Sequence, residues 1–342
     1  MRALLYTGPE KMEIVDRQKP SPAANEALLK VKYVGICGSD VHGYLGTTGR
    51  RIPPMIMGHE FSAEVVEIGN DVKNYKVGDR VTALPLISCG ECFCCKNGDV
   101  NVCDNRQFLG TMSLDGVLCE YICIEESKLY KLPETVDDRI GALIEPFAVA
   151  YHAVSKALPV KGKTVMIAGA GTIGLLVQVV AKHFGAGKIV MVDLSEDRLA
   201  AAKKMGADIT INPGSQDMDE VLTQEGIRKS VDVTIECVGI TPTAQQTINY
   251  VRNTGTVVWV GNSAQMININ MQQIVTRELT VYGTYIYQPK DYAESIALLA
   301  KGEIDISGFV SAEVGMGDAE AMFKRLAGGD TTMIKVLVDV RK

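Results

Sequence analysis

The spacing of apolar residues divides the chain into two regions of different texture. Up to about residue 150, β-branched runs such as Ala27 to Val34 and Ala63 to Ile68 are interrupted by glycine and proline turns, and helical periodicity is scarce. From about Phe147, short apolar runs alternate with amphipathic segments of helical period. The first pattern predicts a strand-rich region, and the second predicts an α/β region built on a doubly wound parallel sheet.

The second region contains six predicted strands, the number found in a dinucleotide-binding fold. They span Thr164 to Ile167, Lys188 to Val192, Ile209 to Ile211, Val231 to Glu236, Thr256 to Val260 and Leu279 to Tyr282. After Gly283 we predict helices near Asp291 to Ala300 and Ala319 to Leu326, then a last strand at Ile334 to Val340. We expect this tail to rejoin the first region, so that residues 1–150 and 286–342 form one domain and residues 151–285 the other.

A glycine-rich turn follows the first of the six strands. It matches G-x-G-x-x-G, whose glycines permit a tight turn, close approach of the backbone to a pyrophosphate and close packing of helix on strand. The residues of this turn that we predict to bind a nucleotide are Gly169, Gly171, Thr172, Ile173 and Gly174. The same string also occurs as a plain turn in other α/β proteins, which is the alternative.

Asp193 ends the next predicted strand, at the separation from the glycine turn expected for the acid that binds ribose hydroxyls. A carboxylate accepts hydrogen bonds from a 2′-hydroxyl but repels a 2′-phosphate, so Asp193 favours NAD over NADP. A solvated residue at a strand end is the alternative. Arg198 either packs against the adenosine or is a charge on a helix surface.

The nine cysteines are unevenly spaced, and four of them suggest a metal site. Cys89, Cys92, Cys95 and Cys103 offer four thiolates in a segment too poor in apolar residues to order itself. Four soft ligands suit tetrahedral zinc and leave no open coordination position, so we predict a structural zinc lobe at residues 89–103. Cys94 breaks the even spacing, and an iron–sulfur cluster or a redox-active pair is the competing interpretation.

A second candidate metal site is dispersed along the first region. Cys37, His42, His59, Glu60 and Glu145 supply a thiolate, imidazoles and carboxylates, but no local spacing unites them. From the residues alone this is a candidate mixed-ligand site, with ordinary structural histidines as the alternative.

Composition and charge exclude several classes of protein. The chain has 35 Lys and Arg against 41 Asp and Glu, a net charge of −6, without the basic clusters that bind nucleic acid or an anionic membrane. The N-terminal apolar run is broken too early for a secretory signal, and the uncharged stretch from Thr164 to Ala181 is better explained as strand, turn and helix than as a membrane span. We expect a cytoplasmic enzyme that acts on a small molecule, with no nucleic-acid or membrane partner.

Taken together, these motifs resemble the zinc-dependent medium-chain alcohol dehydrogenase family, in particular its polyol branch with sorbitol and galactitol-phosphate dehydrogenases. The resemblance covers essentially the whole chain. It rests on Cys37-Gly38-Ser39-Asp40 with His42, Gly58-His59-Glu60, the four-cysteine segment, Glu145-Pro146 and the nucleotide turn. It implies a Rossmann NAD-binding domain and a β-rich, GroES-like catalytic domain. It also implies a homodimer or homotetramer, in which the strand Leu279 to Tyr282 pairs across a subunit interface.

The resemblance further implies the roles of individual residues. Cys37 and His59 would bind catalytic zinc with a carboxylate from Glu60 or Glu145, and Asp40 would orient His59. The residues that would carry the alcohol proton to water, by way of the nicotinamide ribose, are Ser39 and His42. Those that would line the nicotinamide end of the cleft are Val260, Gly261, Asn262 and Tyr285.

Two departures limit the resemblance. Ala63 stands where the family signature usually has glycine, a change that we expect the fold to tolerate. Ile286-Tyr287 stand near the position where sorbitol dehydrogenases typically have an arginine that contacts the polyol, so free sorbitol is not a safe assignment. The candidate substrate contacts are Arg50 and Arg51, for a phosphate, and Tyr44, for the pocket wall. A solvated basic loop is the alternative for the arginines.

We therefore predict a dehydrogenase that uses zinc and NAD to oxidise a secondary alcohol of a polyol or sugar-derived substrate, free or phosphorylated, to a ketone. Threonine-type and butanediol-type dehydrogenases are the alternatives within the family. A non-catalytic nucleotide-binding protein on the same fold is the alternative of another class.

Overall fold

A computed structural model describes residues 1–112 and 114–342, and the chain divides into two compact units. One unit comprises Met1–Glu145 together with Gln288–Lys342, and the other comprises Pro146–Tyr287. The sequence pattern places the two boundaries at residues 150 and 285, whereas the units divide after residues 145 and 287.

The first stretch of the chain is rich in strands. Its strands are β1 (Arg2–Gly8), β2 (Lys11–Asp16), β3 (Glu26–Gly35), β4 (Met55–Ile56), β5 (Glu60–Ile68), β6 (Arg80–Ala83), β7 (Leu86–Ile87), β8 (Gln107–Phe108), β9 (Tyr121–Glu125) and β10 (Leu129–Lys131). Its helices are α1 (Gly38–Tyr44), α2 (Phe93–Lys96) and α3 (Asp138–Ser155), with short 3₁₀ helices at Val100–Val102 and Glu126–Lys128.

The second unit alternates strands and helices. They are β11 (Thr164–Ala168), α4 (Thr172–His183), β12 (Lys188–Val192), α5 (Glu196–Lys204), β13 (Ile209–Ile211), α6 (Met218–Gln224), β14 (Val231–Glu236), α7 (Thr241–Tyr250), β15 (Val251–Trp259), α8 (Met271–Thr276) and β16 (Thr280–Gly283). All pairings between these strands are parallel, and the strand order is β13-β12-β11-β14-β15-β16. This is the strand order of a Rossmann fold, which confirms the predicted fold class.

The tail predicted to rejoin the first unit does so by strand pairing. It consists of α9 (Pro289–Ala300), β17 (Val310–Gly315), α10 (Ala319–Ala327) and β18 (Lys335–Asp339), with 3₁₀ helices at Ser307–Phe309 and Met316–Asp318. β18 pairs antiparallel with β3, so the main sheet of this unit runs β10-β6-β5-β3-β18-β17, and β9 also pairs with β3. Two smaller sheets, β2-β1-β4 and β7-β8, complete the unit.

Helix α3 is the main feature that the sequence pattern did not predict. The pattern places the first helical texture near Phe147, but α3 begins at Asp138. Every residue from Gly141 to Ala148 is buried. A helix that is enclosed on all sides lacks the alternation of polar and apolar residues by which a helix is detected in a sequence. Strand β15 likewise begins earlier than predicted, at Val251, because it contains an irregular stretch where Thr254 has a φ of 58°.

The helices of the described residues include none that is long and apolar enough to cross a membrane.

Gly174 sets how closely α4 packs on β11. A Cβ at this position would lie 1.7 Å from the carbonyl oxygen of Gly169. At Gly171, the residue that precedes α4, φ is −72° and an added Cβ would meet no atom within 4 Å. The two glycines therefore form a matched pair for testing the packing.

We predict that Gly174→Ala lowers the free energy of unfolding by about 1–3 kcal/mol, because the backbone must move to admit the methyl group. Gly171→Ala should leave stability unchanged or raise it by a few tenths of a kcal/mol, since alanine restricts the unfolded chain. Urea or thermal denaturation of the two purified variants measures both effects, and equal stabilities would contradict the prediction.

Candidate functional site

The dispersed candidate metal ligands are brought together by the pairing of β3 with β5. Gly35 at the end of β3 lies opposite Glu60 at the start of β5. The chain then continues from β3 to Cys37, just before α1, while His59 directly precedes β5. The side chains of Cys37, His59 and Glu60 converge, with one ligand atom from each lying within 4.8 Å of the others. A thiolate, an imidazole and a carboxylate at this separation fit a catalytic zinc ion.

Asp40 and Arg51 support the imidazole of this group. Arg51 donates to Asp40 Oδ1 from Nη2 at 2.6 Å and from Nε at 3.1 Å. The other carboxylate oxygen, Oδ2, lies 3.5 Å from His59 Nδ1. All three side chains are buried. Asp40 thus faces the imidazole nitrogen opposite a metal ligand position, as the resemblance implies for a residue that orients His59.

Lys335 is the residue at this site that the sequence analysis missed. Its ammonium group is buried, and it donates to both oxygens of Glu60, at 2.7 and 3.0 Å, and to Ile36 O at 3.1 Å. Burial disfavours the charged form, but the negative charges of Glu60 and then Cys37 outweigh it and raise the pKa of Lys335. The sequence contained one signal for it, a lysine at the start of β18 that stands between the apolar residues Ile334 and Val336.

The Cys37 thiol lies in surroundings that resist its ionisation. Desolvation and then the charge of Glu60 raise its pKa to about 11, while Lys335 and a hydrogen bond from Ser39 act in the opposite direction. Ser39 Oγ donates to Cys37 Sγ at 3.3 Å. Because a metal binds the thiolate, a cation entering this group would displace the thiol proton.

The other predicted site residues of this unit lie outside the group formed by Cys37, His59 and Glu60. Glu145 is buried, but the converging ligand group of the described residues does not include it. Ser39 and His42 are exposed on α1, and Arg50 is exposed in the following loop. Tyr44 is buried in the core, where its hydroxyl donates to Glu10 O at 3.1 Å and its ring packs 5.7 Å from that of Phe323. Because the Tyr44 side chain is enclosed in the core, it cannot line a substrate pocket, and the structure contradicts its predicted substrate contact.

The four-cysteine lobe gathers the four sulfurs that the spacing selects. Cys89, Cys92, Cys95 and Cys103 form one group, in which three pairs of sulfur atoms lie 3.4, 3.8 and 4.0 Å apart. Tetrahedral zinc with Zn–S bonds of about 2.3 Å requires sulfurs about 3.8 Å apart. Backbone N–H groups of Cys92 and Cys95 donate to the preceding cysteine sulfurs of the group. The lobe therefore fits a structural zinc ion, and Cys94 lies outside the group.

In the second unit, the candidate nucleotide residues follow strand ends that lie in one row. Val192, Ala168, Glu236, Trp259 and Gly283 are paired in register across the sheet. The residues that follow these strands, Asp193, Gly169, Val260 and Tyr285 among them, therefore lie along one edge, at the carboxyl ends of parallel strands. Nucleotides bind at this edge of a Rossmann sheet.

Hydrogen bonds join the separate loops of this edge. Asp193 accepts from Ala170 N at 2.7 Å and from Ser195 N at 2.8 Å, so its carboxylate lies against the glycine turn. Glu236, buried and not predicted from the sequence, accepts from Gly239 N at 2.7 Å through its side chain and from Gly261 N at 3.1 Å through its backbone oxygen. Among the remaining candidates, the half-buried residues are Ile173, Arg198, Val260 and Tyr285, and Asn262 is exposed.

Comparisons with known proteins agree with both units. A model described as "Alcohol dehydrogenase GroES-like domain" matches residues 23–134, and one described as "Zinc-binding dehydrogenase" matches residues 172–301. The chain is 36% identical to sorbitol dehydrogenase of Halalkalibacterium halodurans over 99% of each chain. The structure is similar to galactitol-1-phosphate dehydrogenase from Escherichia coli, with a TM-score of 0.91, 26% identity and coverage of 99% and 100% of the two chains. It is also similar to 2R,3R-butanediol dehydrogenase from Bacillus subtilis, with a TM-score of 0.89, 32% identity and coverage of 99% of each chain.

We predict that Cys95→Ser removes the structural zinc and destabilises the lobe, because three sulfurs leave the tetrahedron open. Cys94→Ser is the matched control, adjacent in the chain but outside the sulfur group. Elemental analysis should show one zinc fewer per chain in Cys95→Ser and no change in Cys94→Ser. Loss of the metal from the Cys94 variant instead would show that the ligand set is wrong.

Proposed function

Because this chain belongs to the zinc-dependent medium-chain alcohol dehydrogenases, in the branch that includes the polyol dehydrogenases, we propose that it oxidises a secondary alcohol of a polyol or sugar-derived substrate to a ketone. The hydride is transferred to NAD. The observation that carries the proposal is the convergence of Cys37, His59 and Glu60 on one point, with Asp40 behind the imidazole. These side chains come from separate segments, and a non-catalytic protein has no need to bring them together.

The metal chemistry is assigned to a few side chains of the first unit. Cys37 and His59 hold zinc with Glu60, and Glu145 is the carboxylate that exchanges with Glu60. A bound zinc ion supplies Lewis acidity, which lowers the pKa of an alcohol hydroxyl. Both carboxylate oxygens of Glu60 accept hydrogen bonds from Lys335. Glu60 could therefore bind zinc only if one of these oxygens contacted both the ion and the Lys335 ammonium. Asp40, whose Oδ2 lies 3.5 Å from His59 Nδ1, would orient the imidazole.

The alcohol proton is carried by Ser39 and His42. Both residues lie on α1 and are exposed, and Ser39 lies two residues from Cys37. Ser39 would accept the proton at Oγ as its own hydroxyl proton leaves, and His42, further along α1, would receive the departing proton. The His42 imidazole, which is exposed, would then pass the proton to water.

NAD is assigned to the second unit. The glycine turn and the N-terminus of α4 receive the pyrophosphate, Asp193 receives the adenosine ribose, and Arg198 packs beside the adenosine. The loops after β15 and β16, with Val260, Gly261, Asn262 and Tyr285, would bind the nicotinamide end of NAD. The NAD preference rests on the negative charge of Asp193, which repels the 2′-phosphate of NADP.

The exposed Arg50 is assigned to a phosphate on the substrate. The neighbouring Arg51 is buried and donates to Asp40 and Ser39, so it is not available to a ligand. Arg50 is therefore the one arginine of this pair that we assign to phosphate binding. The similarity to galactitol-1-phosphate dehydrogenase supports this choice. The similarity to butanediol dehydrogenase supports the second candidate, oxidation of a small diol.

We also propose that the chain acts in the cytoplasm as a homodimer or homotetramer. Strand β16 pairs with β15 on one side, and no other described strand pairs with it. Tyr282 on β16 is 41% exposed, and the neighbouring α8 exposes Met271 and Val275. An apolar edge strand of this kind is usually covered by a partner.

We predict a solution mass of two or four chains, measured by light scattering on the purified protein. Val281→Pro should lower that mass, because proline removes a backbone donor from β16. A wild-type mass of one chain would contradict the proposed assembly.

The proposed reaction is tested with NAD and a panel of free polyols, phosphorylated polyols, 2,3-butanediol and threonine, by following NADH formation. We expect a polyol to be the best substrate. Cys37→Ser should lower kcat/KM about 10³-fold, because the Lewis acid contributes several kcal/mol, while the structural zinc is retained. No turnover of any polyol, or unchanged turnover in Cys37→Ser, would contradict the proposal.

The same panel tests Arg50. Arg50→Ala should lower kcat/KM about tenfold or more for a phosphorylated polyol, since a hydrogen bond to a charged group is lost, and should leave free polyols unaffected. An equal effect on both classes would show that Arg50 does not recognise phosphate.

A further inference from the structure

Arg51 is a buried guanidinium that none of the assigned roles uses. Its side chain is 3% exposed, although it follows the exposed Arg50 in a loop. Its stem runs over α1 at Gly43, where an added Cβ would lie 2.3 Å from Arg51 Cγ. Backbone bonds from Met112 N to Arg50 O and from Ile52 N to Met112 O hold the loop on both sides of Arg51. The absence of a side chain at Gly43 thus leaves space for the Arg51 stem, and the backbone hydrogen bonds to Met112 hold the loop that carries it.

The guanidinium contacts two groups that face the metal ligands. Nη2 donates both to Asp40 Oδ1, at 2.6 Å, and to Ser39 Oγ, at 3.0 Å. From these two residues the contacts continue to different ligands: Asp40 Oδ2 lies 3.5 Å from His59 Nδ1, and Ser39 Oγ donates to Cys37 Sγ. One cation therefore stands behind both the imidazole and the thiol.

Asp40 Oδ2 and His59 Nδ1 are both buried, and neither has a hydrogen-bond partner within normal distance. They face each other at 3.5 Å, so a shift of a few tenths of an ångström would join them. A metal-binding histidine usually donates its second N–H to a carboxylate. The pair fits a state in which His59 is drawn into coordination, and Arg51 holds Asp40 in place through the opposite oxygen.

We propose, on the basis of the proposed function, that Arg51 is a positioning residue that aligns the metal-binding imidazole and the proton-carrying serine together. It compensates the buried charge of Asp40, which would otherwise be strongly unfavourable. It also donates to Ser39 Oγ at 3.0 Å and so fixes the position of the hydroxyl group that would accept the alcohol proton and release its own proton toward His42. Arg51 itself gains and loses no proton.

Arginine suits both tasks better than lysine does. Two of its nitrogens reach Asp40 Oδ1, and one of these also reaches Ser39, because the donors of a guanidinium lie in a fixed plane. A lysine ammonium could neutralise Asp40 but would not reproduce this geometry. The two functions of Arg51 can therefore be separated by substitution.

The experiment compares Arg51→Met and Arg51→Lys with Arg80→Met. Arg80 donates to backbone carbonyls of Pro133 and Val136 in the same unit, so its loss reports the general effect of removing an internal arginine. Zinc affinity is measured by competition with a chelator, and Co²⁺ exchanged into the catalytic site reports ligand geometry through its visible spectrum.

For Arg51→Met we expect catalytic-site affinity to fall about 10- to 100-fold, the Co²⁺ spectrum to change and one zinc per chain to remain in the lobe. Arg51→Lys should bind metal within a few-fold of wild type but lower kcat, with KM little changed, because the bond to Ser39 is lost. Arg80→Met should alter thermal stability without changing the metal affinity or the spectrum.

Wild-type affinity and spectrum in Arg51→Met would overturn the proposal. If Arg51→Met does not fold, wild-type kcat and affinity in Arg51→Lys would overturn it equally. The metal measurements need no substrate, so they distinguish failure of this proposal from failure of the proposed reaction, which would appear as an inactive wild-type protein with normal metal binding.

Discussion

The ion pair between Lys335 and Glu60 is the contact on which the organisation of the first unit depends. It joins a lysine near the end of the chain to a carboxylate near its beginning, and the lysine also bonds to Ile36 O beside the ligand Cys37. Leaving either charge buried without the other would cost about 3–5 kcal/mol. The tail that follows the second unit therefore returns to the first unit, where β18 pairs with β3 and brings Lys335 to Glu60.

The need to pair buried charges also explains the arrangement of the rest of the site. Glu60 is balanced by Lys335, and Asp40 is balanced by Arg51, so the acidic groups behind Cys37 and His59 each have a cation of their own. A thiol and an imidazole are left directed at a common point. Because each buried acid has its own cation, the interior can hold many ionisable groups close together. A divalent cation would bind the thiol and imidazole that these ion pairs leave without a charged partner.

Much of the second unit could be predicted from its sequence, since each of its strands is a short apolar run bounded by turns. Strands β12, β13 and β14 have the predicted bounds. The four-cysteine lobe was equally accessible, because its ligands lie close together in the chain. Helix α3 was not, because its middle turns from Gly141 to Ala148 are buried on every side and so lack an amphipathic pattern. Tyr44 was misassigned because proximity to His42 in the chain says nothing about which side of α1 it faces.

The sequence by itself therefore determined what local spacing encodes: the glycine turn, the acid that follows it, the sulfur tetrahedron and the alternation of strands and helices. Only the tertiary structure decided which distant charges meet. Neither the partnership of Lys335 with Glu60 nor that of Arg51 with Asp40 has a local pattern, because the first joins two strands on opposite sides of β3 and the second joins a helix to a loop. The cost of burying a lone charge makes such partners obligatory, but their identity depends on the folded neighbourhood.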